Sequence, residues 1–389
     1  MTTRGAARPV RVALVTPYYP PSVGGLEHYT HKVARALHRH PGFEVVVLTT
    51  GTSRRTGVAV EEGVTVVRLA PWLRVSNSPV SGWWPVQLRT LLRRHRIDVV
   101  HAHAPTPYLA DVTTFVAGDR PVVLTYHSGS MVKGTGGLTD ALLRTYERHV
   151  LPRVFARADR LVAVSPAASS HATGRAVLVP PGVDTRTFVP AGEPAARDVL
   201  FVGRLQRTSR WKGVHVLLDA FARVVDRVPD ARLVLVGDGD DVPALRARAA
   251  GLGLADRVVW RGALSGADLV RAYQEAAVVA LPSLTESESF GMTLVEAMAC
   301  GRPVVGSRVG GIPYVVRDGV DGLLVPPGDV GSLAGAVGDL LLDGPRRRQL
   351  GAAGRAAAED RWDWRHSTGA TLRVLGEAAG VRDSDLLPG

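Results

Sequence analysis

The sequence predicts an α/β protein built from two doubly wound domains, and three observations carry that prediction. The chain has 389 residues, too many for one ordinary domain and enough for two of about 190 each. Its short apolar runs are continuous rather than alternating, the pattern of strands covered on both faces and hence of parallel sheets. Amphipathic stretches of helical spacing separate those runs, giving strand, helix, strand, helix through both halves.

In the first half the apolar runs are Val10–Val15, Val45–Leu48, Val99–Val100, Val122–Leu124, Leu161–Val164 and Val177–Val179. In the second they are Val199–Val202, Leu233–Val236, Val258–Trp260, Val278–Leu281 and Pro303–Gly306. Leu26–His38, Leu138–Phe155, Val214–Val228 and Leu333–Leu342 have helical spacing. Residues 189–195, Val-Pro-Ala-Gly-Glu-Pro-Ala, have linker composition. The expected domains are therefore 1–190 and 191–365, followed by a helical tail, 366–389, that packs back on the first.

Hydrophobic residues make up 46% of the chain, enough for two cores. No apolar run is long enough to span a membrane, and the polar start lacks the apolar stretch of a signal peptide. One cysteine, Cys300, excludes an intrachain disulfide framework and a cysteine zinc site. These features predict a cytoplasmic protein. The net charge is +11, and only Lys32, Lys133 and Lys212 are lysines among 47 basic residues. Such a skew towards Arg is what a GC-rich genome imposes; a surface drawn to anionic membrane is the second reading. No basic–aromatic motif points to nucleic acid. Arg93–Arg96 and Arg346–Arg348 read as solvated helix faces.

Open α/β sheets present ligands at the carboxyl ends of their strands, so the candidates are residues that follow strands. Glu288 sits in a turn before a helix start, beside Phe290 and Gly291, and Glu296 lies about one turn into that helix. The Met292, Thr293 and Leu294 amides at the helix start suit a phosphate. Carboxylates on either side suit hydroxyl groups, the layout of a nucleotide sugar. After strand Val199–Val202 come Gly203 and Arg204, and Lys212 opens the next helix. The pair could clamp a diphosphate, Arg as a fork and Lys as a point charge, or be ordinary surface cations. At Gly262, beyond strand Val258–Trp260, a base edge could meet backbone groups.

In the first domain Gly24 and Gly25 permit close backbone approach at a helix start. His101 and His103 share one strand face, but no third ligand is in register, so no metal is expected. His127 ends strand Val122–Thr125, placed to meet sugar hydroxyls or to serve as a hydrogen-bonded structural residue. The Trp83-Trp84 pair reads as the start of a buried helix rather than as an acceptor surface.

Together these residues resemble the retaining, GT-B-fold nucleotide-sugar glycosyltransferases of the family-4 type (glycosyl transferases group 1). The resemblance covers about residues 10–375 and is carried chiefly by Ser-Glu-Ser-Phe-Gly-Met-Thr-Leu-Val-Glu-Ala-Met-Ala-Cys-Gly-Arg-Pro-Val-Val, residues 287–305. Pro20–Glu27, His101–His103, Thr125–Ser128, Pro180–Asp184, Val202–Leu205, Lys212-Gly213 and Asp318–Val325 support it. It implies two Rossmann-like domains across a cleft, the first for the acceptor and the second for the nucleotide sugar. Arg204 and Lys212 would then hold the diphosphate, Glu296 the ribose, and Glu288 with the Phe290–Gly291 backbone the donor sugar. His127 would face the sugar, and Gly24, Gly25 and His103 would lie towards the acceptor. Such enzymes retain the anomeric configuration by a front-face route in which no carboxylate serves as nucleophile, unlike the paired acids of retaining glycosidases, and they need neither bound metal nor cofactor.

Three features depart from the family pattern: Gly129 and Tyr314 stand where relatives often carry acidic residues, and the Arg204–Lys212 spacing is longer than in the common short version. The runner-up readings are a sugar-nucleotide epimerase of the same fold and a non-catalytic nucleotide-sugar-binding subunit. The acceptor stays open between a small natural product or cyclitol and a lipid or glycan, as do the base, the donor sugar, and a monomeric or homodimeric state.

Overall fold

The computed structural model describes residues 8–22, 24–75, 78–132 and 137–381. The chain divides into two compact units, Met1–Val179 with Ser367–Gly389, and Pro180–His366.

The first unit holds strands β1 (Val10–Val15), β2 (Phe43–Thr50), β3 (Gly57–Glu61), β4 (Val64–Leu69), β5 (Leu73–Val75), β6 (Ser78–Val80), β7 (Val99–Ala104), β8 (Val122–Tyr126), β9 (Arg160–Ala163) and β10 (Ala176–Leu178). Its helices are α1 (Gly25–Arg39), α2 (Trp84–Arg94), α3 (Leu109–Val116), α4 (Gly137–His149) and α5 (Leu151–Arg157). The main sheet runs β10-β9-β8-β7-β1-β2-β4-β3, and its pairings are parallel except at the β3–β4 edge. Continuous apolarity is thus explained: β1, β7 and β8 are buried along their whole length apart from Arg11.

The sequence reading does not include the β3–β4 hairpin. Glu62 and Gly63 take positive φ angles of 48° and 85° and turn the chain back tightly. Val58 and Val60 on β3 are exposed at the sheet edge, so no buried run marks that strand. The expected helix 138–155 is broken at Val150 into α4 and α5. Pro152, which has no amide proton for a helix interior, takes a first-turn position in α5 instead. Trp84 opens α2 fully buried, its indole N–H donating to the Ala70 carbonyl at 3.0 Å, whereas Trp83 is exposed.

The second unit contains β11 (Asp198–Val202), β12 (Arg232–Val236), β13 (Val258–Gly262), β14 (Val278–Leu281), β15 (Val304–Ser307) and β16 (Leu323–Val325). Around them lie α6 (Val214–Arg227), α7 (Val242–Gly251), α8 (Gly266–Glu275), α9 (Met292–Ala299), α10 (Ile312–Val315), α11 (Val330–Leu342) and α12 (Gly344–Arg361). The last helix, α13 (Trp364–Ala378), begins in this unit and continues in the first. The sheet is parallel throughout, in the order β13-β12-β11-β14-β15-β16. Strand order therefore reverses between β11 and β14, the place at which open α/β sheets present their ligands, beyond the carboxyl ends of the strands.

The units divide at 179/180 rather than at 190. Val183 is buried in the second core; its amide donates to Trp362 O at 2.7 Å and its carbonyl accepts from the Trp364 amide at 3.1 Å. Residues 180–190 are thus fixed to the second unit, although the composition just beyond them looks like a linker. Arg347, read above as solvated, is partly buried and pairs with Glu193 at 2.6 Å. Among the described residues no helix is long and apolar enough to cross a membrane.

Candidate functional site

The β11/β14 reversal gathers several of the predicted residues. Gly203 and Arg204 leave β11, a 3-10 turn Arg207–Lys212 follows, and Gly213 starts α6 with φ of 74°. A Cβ at Gly213 would lie 2.0 Å from the Pro282 carbonyl, so only glycine lets this turn meet the loop after β14. That contact brings Lys212 to Glu288: the ammonium donates to Glu288 Oε2 at 2.9 Å, and the Ser283 hydroxyl donates to the same oxygen at 3.0 Å. Both partners are mostly buried, with side-chain exposures of 17% for Lys212 and 10% for Glu288. The Lys212 ammonium also lies 4.6 Å from the Trp211 ring centre. Glu288 Oε1 takes no hydrogen bond among the described residues. Arg204 is exposed and makes no ion pair among them.

Gly291, with φ of 93°, opens α9, and no side chain caps it. The Leu294 amide donates to the Gly291 carbonyl at 2.9 Å, so the expected trio of free amides shrinks to Met292 and Thr293. Behind the turn, the Gly311 amide donates to the Glu288 carbonyl at 2.8 Å, and a Cβ on Gly311 would lie 2.0 Å from Ser289 O. The loop carrying Glu288 is held by this backbone packing. Phe290 is buried edge-on against Trp362, ring centres 5.3 Å apart, which leaves only its backbone for a ligand.

Glu296 lies one turn into α9. Its Oε2 accepts from the Tyr273 hydroxyl at 2.6 Å. Burial pushes this carboxyl up to about 7, the phenol bond opposing the rise. Its folded value exceeds the unfolded one, so the group favours the fold most at low pH and loses that contribution as pH rises through about 7. Thr293 donates its hydroxyl to the Val202 carbonyl at 3.1 Å and ties α9 to the end of β11. Gly262 ends β13 with φ of 64°; its carbonyl accepts from the Gly237 amide at 2.8 Å, and a Cβ would meet open space. Sequence reasoning did not assign Tyr273 a role, because nothing in its spacing shows that α8 turns it towards a residue 23 positions on.

In the first unit the three histidines do come together, but not as the sequence suggested. β7 runs on to Ala104, so His101 and His103 lie inside the sheet with 0% exposure. His103 Nδ1 lies 2.9 Å from Nε2 of the part-exposed His127, and His101 Nε2 lies 2.8 Å from the Thr125 hydroxyl. His103 is therefore corrected from an acceptor contact to a buried support behind His127. Tyr29 of α1 packs edge-on against His103 and His127. A Cβ on Gly25, the first residue of α1, would meet nothing within 4 Å, and Gly24 is merely extended.

Burial lowers all three imidazoles below their ordinary range, His101 to about 3. They are neutral at neutral pH, and their sign is opposite to that of Glu296. The unfolded chain binds more protons below pH 6.5, so their contribution is intact above about 6.5 and is lost as pH falls. The melting temperature is expected to drop steadily from pH 6.5 to pH 4.5; a flat profile over that range would mean that the cluster is solvated. Among the described residues no group of three or more His, Cys, Asp or Glu side chains could hold a metal ion.

Two Rossmann-like units, with a carboxylate, a lysine and a helix start at the switch point of the second, define a nucleotide-sugar glycosyltransferase of the GT-B class. Comparison with known proteins agrees. Residues 23–187 match Glycosyltransferase Family 4 and residues 196–343 match Glycosyl transferases group 1. The chain is 32% identical to a GDP-mannose-dependent alpha-(1-6)-phosphatidylinositol monomannoside mannosyltransferase of Mycolicibacterium smegmatis, covering 93% of this chain and 97% of that protein. It is 33% identical to a D-inositol 3-phosphate glycosyltransferase of Actinosynnema mirum, covering 92% and 93%. Among solved structures, sucrose-phosphate synthase from Thermosynechococcus elongatus superposes with a TM-score of 0.79 at 25% identity, over 95% of this chain and all of that one. Anabaena HepE, solved with UDP and glucose, gives 0.73 at 22% identity, over 94% and 99%, a likeness of fold. The chain belongs to glycosyltransferase family 4.

Proposed function

We propose that the chain transfers a hexose or aminohexose from a nucleoside-diphosphate sugar to an acceptor hydroxyl with retention, by a front-face route that needs no metal. The supporting observation is the Lys212–Glu288 pair at the switch point, flanked by the two unpaired α9 amides. Lys212, Arg204 and the helix start offer the positive charge that a departing diphosphate requires. Glu288 Oε1 is left for a sugar hydroxyl and Glu296 Oε1 for the ribose. In the step itself the bond from the anomeric carbon to the phosphate oxygen breaks. The acceptor oxygen bonds to that carbon on the same face and passes its proton to the departing phosphate. Glu288 then binds and orients; it is not a nucleophile. His127, with the α1 start at Gly24 and Gly25, would serve the acceptor side.

The two relatives are named for acceptors that contain inositol, which favours a cyclitol, free or lipid-linked, over an unrelated aglycone. One is named for GDP-mannose, which makes GDP- and UDP-hexoses the first donors to try. In the lipid-linked case the basic surface would meet an anionic membrane from the cytoplasmic side. The test incubates the protein with GDP-, UDP- and ADP-hexoses, with and without inositol 3-phosphate or phosphatidylinositol, in EDTA. NMR then reads the anomeric configuration of product or released sugar. An inverted product, or activity that requires added metal, would sink the proposed route. Absence of both transfer and slow donor hydrolysis would favour a binding subunit.

A further inference from the structure

The Tyr273–Glu296 pair is more than the housing of a buried phenol. Tyr273 has 0% exposure and stands among the core residues of the second unit. Its hydroxyl has one proton to give and gives it to Glu296 Oε2. Phe188 packs edge-on against its ring at 5.9 Å. The ring cannot move without disturbing the core. Glu296 is therefore held at one oxygen by a rigid donor, while Oε1 accepts nothing among the described residues and the residue stays part-exposed. A free glutamate on a helix samples several rotamers, and fixing it only on binding would cost affinity.

We propose that Tyr273 is a positioning residue for the nucleotide: its hydroxyl fixes the Glu296 carboxylate so that Oε1 receives the ribose hydroxyls of the donor. The proposal rests on the reading of Glu296 as the ribose contact. It assigns Tyr273 no contact with substrate; the phenol acts only through Glu296.

Tyr273→Phe keeps the ring that fills the core and removes only the hydroxyl. Binding of GDP, UDP and ADP, each beside its 2′,3′-dideoxy form, is measured by calorimetry on the full chain. Wild type is expected to prefer the ribose form, and Glu296→Ala to abolish that preference. Tyr273→Phe is expected to shrink it about five- to tenfold by weakening the ribose form alone, the size of one ordinary hydrogen bond. A merely structural Tyr273 would weaken ribose and dideoxy forms alike, or neither, and either result overturns the proposal. If Glu296→Ala leaves the ribose preference intact, or if none of the nucleotides binds, the reading of Glu296 itself falls. Preference lost in Glu296→Ala but kept in Tyr273→Phe removes only the role given to Tyr273.

Discussion

Lys212→Ala is expected to lower kcat/KM for the nucleotide sugar by about 2–4 kcal/mol, roughly 30- to 1,000-fold, the usual cost of removing one preorganised partner of transition-state charge. Negative charge grows on the diphosphate as the glycosidic bond breaks, so the loss should fall more on kcat than on KM. Lys212→Arg should not rescue it. The lysine stem runs beside Gly203, where even a Cβ would come within 3.2 Å of Lys212 Cδ, and a planar fork does not replace a point charge there. The variant also strands the buried Glu288 carboxylate, which by itself can cost stability. Lys212→Met/Glu288→Gln removes both charges; its melting temperature separates a folding defect from lost chemistry. Rates within about threefold of wild type for Lys212→Ala would remove this residue from the site.

What was legible in the sequence follows from what each signal encodes. Burial on both faces writes itself into composition, so the parallel strands β1, β7, β11 and β14 were plain, whereas the edge strand β3, with Val58 and Val60 in solvent, was not. The domain division was misplaced because proline and glycine mark a change of local conformation, not the unit against which a segment packs. Val183 decides that through its bonds to Trp362 and Trp364. At the site, Glu288, Lys212 and Gly291 stood out because they follow strands or open helices. Tyr273 did not, since its part depends on Glu296, 23 residues on, which only the fold brings close. His103 shows another limit: that it shares a strand face with His101 was legible, but not that β7 runs on to Ala104 and buries both rings.

Glu288→Ala is the second large expected effect, and its signature differs from that of Lys212→Ala. Glu288 Oε2 is occupied by Lys212 and Ser283, so the charge pair is complete before any ligand arrives. If Oε1 holds the donor sugar, removing the side chain should lower kcat about 100- to 1,000-fold, because an unheld sugar rarely presents its anomeric carbon to the acceptor. Affinity for the bare nucleoside diphosphate should persist or even tighten, since Lys212 is released from its carboxylate and becomes free to meet phosphate. The comparison needs two measurements on one variant: turnover with the nucleotide sugar, and calorimetric binding of the diphosphate without the sugar. Loss of both together would mean that Glu288 supports the fold of the site. Glu288→Gln tests the charge separately, because it keeps an acceptor for Ser283 but cannot neutralise Lys212. A Gln variant with near-normal kcat would place the function of Glu288 in hydrogen bonding to the sugar, and one as poor as Ala would place it in its pairing with Lys212.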